Sequence, residues 1–166
     1  MSVISYVPAQ NKYSNITAQL SDSYTTTSQV IQNNYDFIDP VITQGVRKAK
    51  NFTLSISASC YKVTVDEEVP QLTYSQMMYA LVYVPNGFDP LSLEIKQNET
   101  IELYKANKYI ILQGLLENGK IKKSYSYLAR NLAAGDKICL LIRPISDTTE
   151  MTLKFQAVLN YAIKYN

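Results

Sequence analysis

Two groups of cations are the residues best placed to do chemistry. Arg47, Lys48 and Lys50 sit close together, and Lys120, Lys122 and Lys123 flank an Asn-Gly pair. Clustered cations bind phosphate, and each phosphate neutralised releases counterions and adds sequence-independent affinity. These six residues are the candidate nucleic-acid contacts. The plainer alternative is solubility and protection of strand edges against aggregation. Catalysis has little to stand on. The chain has no histidine, which removes Ser-His and Cys-His nucleophile pairs and every His-containing zinc site. Cys60 and Cys139 are the only cysteines, too few for a four-thiolate site, and they read as buried thiols in strands. No phosphate-cradling glycine loop occurs. Carboxylates cluster only at Asp66-Glu67-Glu68. Paired acids can serve glycoside hydrolysis or hold calcium, but adjacent acids in a loop read first as a solvated surface. No catalytic residue, metal or cofactor is expected.

The elements that must position these residues are strands. Phe52, Leu54, Ile56, Ala58 and Cys60 alternate with Thr53, Ser55, Ser57 and Ser59, a period of two that sends apolar groups to one face and hydroxyls to the other. Leu153, Phe155, Ala157, Leu159, Tyr161, Ile163 and Tyr165 alternate in the same way, with Lys154, Gln156, Asn160 and Lys164 between them. Met77 to Val84 and Lys137 to Arg143 are unbroken apolar runs of strand length, which predicts burial on both faces. Tyr109 to Leu116 and Lys120 to Leu128 read as two further strands. Asn118-Gly119 between them predicts a type I′ hairpin, and Arg130 to Asp136 predicts a break. Tyr24 to Ile38 reads as an outer strand. Val65 to Ser75, Phe88 to Glu102 and Ser146 to Glu150 read as loops, and Met1 to Leu20 as an extended arm. With no convincing long helix, the pattern predicts an all-β, single-domain sandwich or barrel of about eight antiparallel strands, a jelly roll by preference.

Length and composition agree. The 166 residues suit one domain able to bury a real core. Tyr is abundant at 14, Trp is absent, and the net charge is only +2. So small a charge does not by itself mark a nucleic-acid binder. The longest apolar run is too short to span a bilayer, and no basic-then-apolar leader opens the chain. A soluble, intracellular product is expected.

Three phrases add a resemblance. Val84 to Gly87 reads valine-proline-x-glycine after a strand. Leu103 to Ile110 begins leucine-tyrosine and ends in isoleucine, and Arg130 to Asp136 reads arginine-asparagine-leucine-x-x-glycine-aspartate before an apolar strand. With Ala80 to Gly87 and the terminal Tyr161 to Lys164, the chain from about Val46 onward resembles the coat proteins of small circular single-stranded DNA viruses. Plant satellite-virus coat proteins share the general layout of strands. The resemblance implies a jelly-roll subunit that self-assembles into a T=1 icosahedral shell, on the order of sixty copies, located in the virion and made in the host cell. Coat proteins of this kind usually begin with an arginine-rich arm. Here Met1 to Gly45 carries one cation, Lys12, against Asp22, Asp36 and Asp39, so weak binding of a single-stranded genome is expected. The alternative function is a non-viral jelly-roll binding module, carbohydrate-binding or trimeric, which predicts exposed aromatics on one face or groove.

Overall fold

The computed structural model describes residues 12–42, 45–66, 68–90, 109–145 and 150–165. Among the described residues, ten strands run in the order β1 (Ser14–Thr25), β2 (Asn33–Ile38), β3 (Arg47–Asp66), β4 (Val69–Tyr74), β5 (Met77–Val84), β6 (Ile110–Leu116), β7 (Ile121–Ser126), β8 (Arg130–Leu132), β9 (Lys137–Pro144) and β10 (Thr152–Tyr165). They form two sheets, all of whose pairings are antiparallel. One sheet has the order β2-β9-β5-β6. The other has the order β1-β10-β3, and the far edge of β3 is shared along its length by β8, β7 and β4. Each sheet thus offers four strand positions, and the chain crosses repeatedly between the two sheets. This is the jelly roll expected from the sequence.

Period-two alternation explains the core. Phe52, Leu54, Ile56, Ala58 and Cys60 of β3 and Leu153, Phe155, Ala157 and Leu159 of β10 are buried. They meet Tyr79, Leu81, Ile138, Leu140 and Ile142 of the facing sheet. A second cluster, Met78, Ala80, Val82, Val84, Cys139 and Leu141, occupies the other face of β5 and β9. Both faces of those strands are buried, as their unbroken apolar runs require. Cys60 and Cys139 are free, buried thiols. Burial pushes the Cys60 thiol up to about 11, and burial with the Asp36 carboxylate beside it raises Cys139 further.

Several expectations change. Ser14–Leu20 of the expected arm is already paired in β1, Ser14 opposite Ile163. Tyr24 to Ile38 is split between the end of β1 and all of β2, which lie in different sheets. Most of Val65 to Ser75 is strand rather than loop, because β3 runs on to Asp66 and pairs with β4. Pro70 is tolerated there because β4 is an edge strand. The Arg130 to Asp136 break contains the short strand β8. Residues 91–102 of one expected loop, 103–108 of the second phrase and 146–149 of the last turn lie outside the described residues.

Asn118-Gly119 is not a hairpin turn. β6 belongs to the four-stranded sheet and β7 to the other, and of the pair only Gly119 takes a positive φ, of 74°. The turn carries the chain between sheets and is pinned by its asparagine. Asn118 Oδ1 accepts from the Cys60 amide at 2.7 Å, and Asn118 Nδ2 donates to the Ser75 carbonyl at 2.8 Å. Gly119→Val is expected to cost about 1 kcal/mol or more, because a β-branched residue resists positive φ. A thermal melt reads this as a fall of a few degrees.

Candidate nucleic-acid interface

The six-stranded sheet turns its outer face away from the core, and strand register decides which side chains stand on it. On β3 the outward set is Lys48 and Lys50, then Thr53, Ser55, Ser57 and Ser59. The change of parity falls at Asn51, whose φ of 56° marks a β-bulge. There, two residues of β3 face one of β10, and the pleat is re-aimed. On β10 the outward set is Lys154, Gln156, Val158, Asn160, Ala162 and Lys164, paired with those β3 residues. β1 adds Asn15, Thr17, Gln19, Ser21 and Ser23, and β7 adds Ile121, Lys123 and Tyr125.

The sequence-derived cations separate accordingly. Lys48, Lys50 and Lys123 share this face. Arg47 does not, being buried at 7% exposure. Its Nη2 donates to the Asp39 carbonyl at 3.0 Å and to the Asp136 carbonyl at 3.3 Å, so it ties the start of β3 to the turn before β9. Lys120 pairs with Glu117 at 2.5 Å inside the inter-sheet turn. Lys122 stands opposite Ile56 and so points to the other side of β7. Lys154 and Lys164 were missing from the candidate set. Their signal was present in the alternation of the last strand, but only the register brings them beside β3.

One end of the face concentrates charge. Lys48 stands directly opposite Lys164, a like-charge pair that weakens a sheet unless an anion or an electron-rich surface relieves it. The Tyr13 ring supplies part of that relief, with Lys50 Nζ 3.9 Å and Lys164 Nζ 5.3 Å from its centroid. Lys123 lies 5.6 Å from the Tyr125 ring and Lys154 lies 5.8 Å from Tyr61. Among the described residues no carboxylate stands in the outward register with these five lysines. Asp22 pairs with Phe155 on the inward side, and Glu150 ends in the Lys62 ion pair. At the other end the face hollows into an open groove of about 770 Å³, lined by Ser21, Ser23, Ser57, Ser59, Lys154 and Gln156, with the exposed Asp22 at its rim. Ammonium groups, hydroxyls and amides of this kind take phosphate oxygens, and the exposed Tyr125 ring offers a plane for a base.

The acidic run is only partly described: Glu68 is exposed and holds a φ of 67°. Two of the sequence phrases meet in space. Asp136, 5% exposed, accepts from the Tyr83 hydroxyl at 2.6 Å, the Asn86 amide at 2.8 Å and the Ala133 amide at 2.9 Å. Gly135 has a φ of 84°, and a Cβ there would collide with the Asn86 side chain. The valine-proline-x-glycine turn and the glycine-aspartate turn are therefore two halves of one lock at the sheet ends.

No family model matches the chain, and no curated protein matches it. Among solved structures it is similar to the capsid of Penaeus stylirostris densovirus, at 7% identity and a TM-score of 0.40, over 92% of this chain and 84% of that one. It is also similar to the structure of the Gt strain of infectious bursal disease virus, at 12% identity and a TM-score of 0.12, over 90% of this chain and 42% of that one. Scores of this size leave the assignment of the fold to the strand order itself.

Proposed function

We propose that this chain is the subunit of a small viral shell, and that the outer face of the six-stranded sheet is the surface it turns toward a single-stranded genome. The observation that carries this reading is the set of five lysines in an outward register that holds no carboxylate among the described residues, set on a jelly roll. A shell subunit needs one side compatible with an anionic polymer and other sides able to meet its neighbours. The second need is supported by exposed apolar side chains, among them Val65, Tyr127 and Ile42 at 74%, 86% and 94% exposure. The sequence phrases point the same way, since two of them build the lock that holds the sheet ends together. Arg47 leaves the proposed contact set, Lys120 and Lys122 become peripheral to it, and Lys154 and Lys164 join it. The groove does not favour a carbohydrate-binding module, because its lone aromatic lining residue, Phe155, is 3% exposed.

Negative-stain microscopy of the purified protein tests the reading. Uniform closed particles are expected. Monomers or trimers at every pH and salt concentration would overturn it and favour the binding module.

A further inference from the structure

The groove at the end of the six-stranded sheet is built as two rows of three side chains, each row crossing three strands. Register places Ser23, Lys154 and Ser59 in one row, and Ser21, Gln156 and Ser57 in the next. Neighbouring strands lie about 4.8 Å apart and the rows about 7 Å apart. Among the described residues, none of these six side chains is spent on a hydrogen bond or ion pair within the chain. The carboxylate at the rim, Asp22, stands in the inward register and hydrogen-bonds with Tyr35. Past the lysine row, β3 runs on beside β4 and the same outward face turns aromatic. Tyr61 follows Ser59 by two residues and stands opposite Tyr74, which is 58% exposed. The Lys154 ammonium lies 5.8 Å from the centroid of the Tyr61 ring. Val63 and Leu72, the next outward pair, carry no charge either.

The geometry points to this groove as the seat of one nucleotide of a single strand, its phosphate in the Ser23–Lys154–Ser59 row and its base against Tyr61 and Tyr74. The inference rests on the genome-facing reading and names the unit that this end of the face holds. An ammonium flanked by two hydroxyls offers a phosphate donors from three adjacent strands, with the charge supplied by Lys154. The rings stand one row further on, about 7 Å away, so phosphate, sugar and base are met in the order a nucleotide presents them. Gln156, which both donates and accepts, lies on the other side of the phosphate row, where the neighbouring nucleotide runs. A ring stacks only on a base whose face is open, so the seat takes single strands and refuses a paired duplex. Stacking tolerates every base, so no sequence preference is expected. A free nucleotide shares this chemistry, and the experiment separates the two sources.

The test measures binding of the full chain to three probes: a single-stranded oligonucleotide, inorganic polyphosphate and a nucleoside monophosphate. Tyr74 is exposed on an edge strand, so Tyr74→Ala should keep the native melting temperature. It should weaken oligonucleotide binding by about tenfold, the loss of one stacked base, with polyphosphate affinity and the salt slope unchanged. Tyr74→Phe keeps the ring and should keep the native affinity. Lys154→Ala should weaken oligonucleotide and polyphosphate alike and lower the salt slope by about 0.7. In the native chain, an oligonucleotide carrying bromouracil should photo-crosslink to Tyr61 or Tyr74, a result that does not depend on how any variant folds. Native-strength binding by Tyr74→Ala, or crosslinks only elsewhere, would overturn the nucleotide seat while the lysine face stands. A nucleoside monophosphate bound as tightly as the oligonucleotide would make the free nucleotide the ligand and rule out the strand. If the native chain binds neither oligonucleotide nor polyphosphate, the genome-facing reading falls as well.

Discussion

Asp136→Ala should cost about 3–5 kcal/mol, as much as a large-to-small substitution in the core. The carboxylate is buried and holds three donors, the Tyr83 hydroxyl and the amides of Asn86 and Ala133. Removing it leaves three part-buried donors without their acceptor, at about 1 kcal/mol or a little more each, the low end of the range because water can reach them. For a chain of this length that is a fall in melting temperature of roughly 10 °C or more. Asp136→Asn keeps the shape and one acceptor, so it should fall between. Tyr83 supplies a second readout. Its pKa is pushed up to about 12, first by burial and then by the Asp136 hydrogen bond and charge. A raised folded-state pKa means the neutral phenol contributes stability below its ordinary value of about 10. That contribution is lost as pH climbs from there through about 12. In Asp136→Ala the phenolate absorbance of Tyr83 should emerge at lower pH. A melting temperature within a degree of native would show that the lock carries no weight.

The second large effect concerns affinity rather than stability. Replacing Lys48, Lys50 and Lys164 with alanine should weaken binding of a single-stranded oligonucleotide by about a hundredfold at low salt. It should also lower the slope of log affinity against log salt by about 2, since each phosphate contact on a single strand contributes about 0.7. Fold stability should hold or rise slightly, because the direct Lys48–Lys164 opposition disappears. Arg47→Ala should behave in the opposite way, lowering stability through the lost carbonyl contacts and leaving the salt slope unchanged. A triple variant that binds as tightly as the native chain, with the same slope, would remove the genome from this face.

Much of the fold was legible in the sequence, for a local reason. β3 and β10 announce themselves by an alternation that only a half-buried strand needs. β5 and β9 do so by apolar runs that only a doubly covered strand tolerates. What was not legible depends on partners. β4 looks like a loop because Pro70 and the neighbouring acids suit one, and only the extension of β3 beyond Cys60 gives it something to pair with. Asn118-Gly119 has hairpin chemistry, yet whether two strands join one sheet or two is decided by the strands they meet elsewhere. The site shows the same division. Lys48 and Lys50 were visible as a cluster, but period-two alternation puts Arg47 on the opposite face from them, and the bulge at Asn51 decides that the lysines are the ones facing outward. Lys164 becomes their neighbour only through the β3–β10 register.

The central claim is assembly, and the mass of the purified protein in solution tests it most directly. A T=1 shell holds on the order of sixty copies, and with an 18.8 kDa chain this gives a species of about 1.1 MDa. Analytical ultracentrifugation should show that species as one sharp boundary beside free subunit, with little between them, because a closed shell has no stable half-built form. A single boundary at monomer or trimer mass across pH and salt, or a continuous ladder of open oligomers, would contradict it.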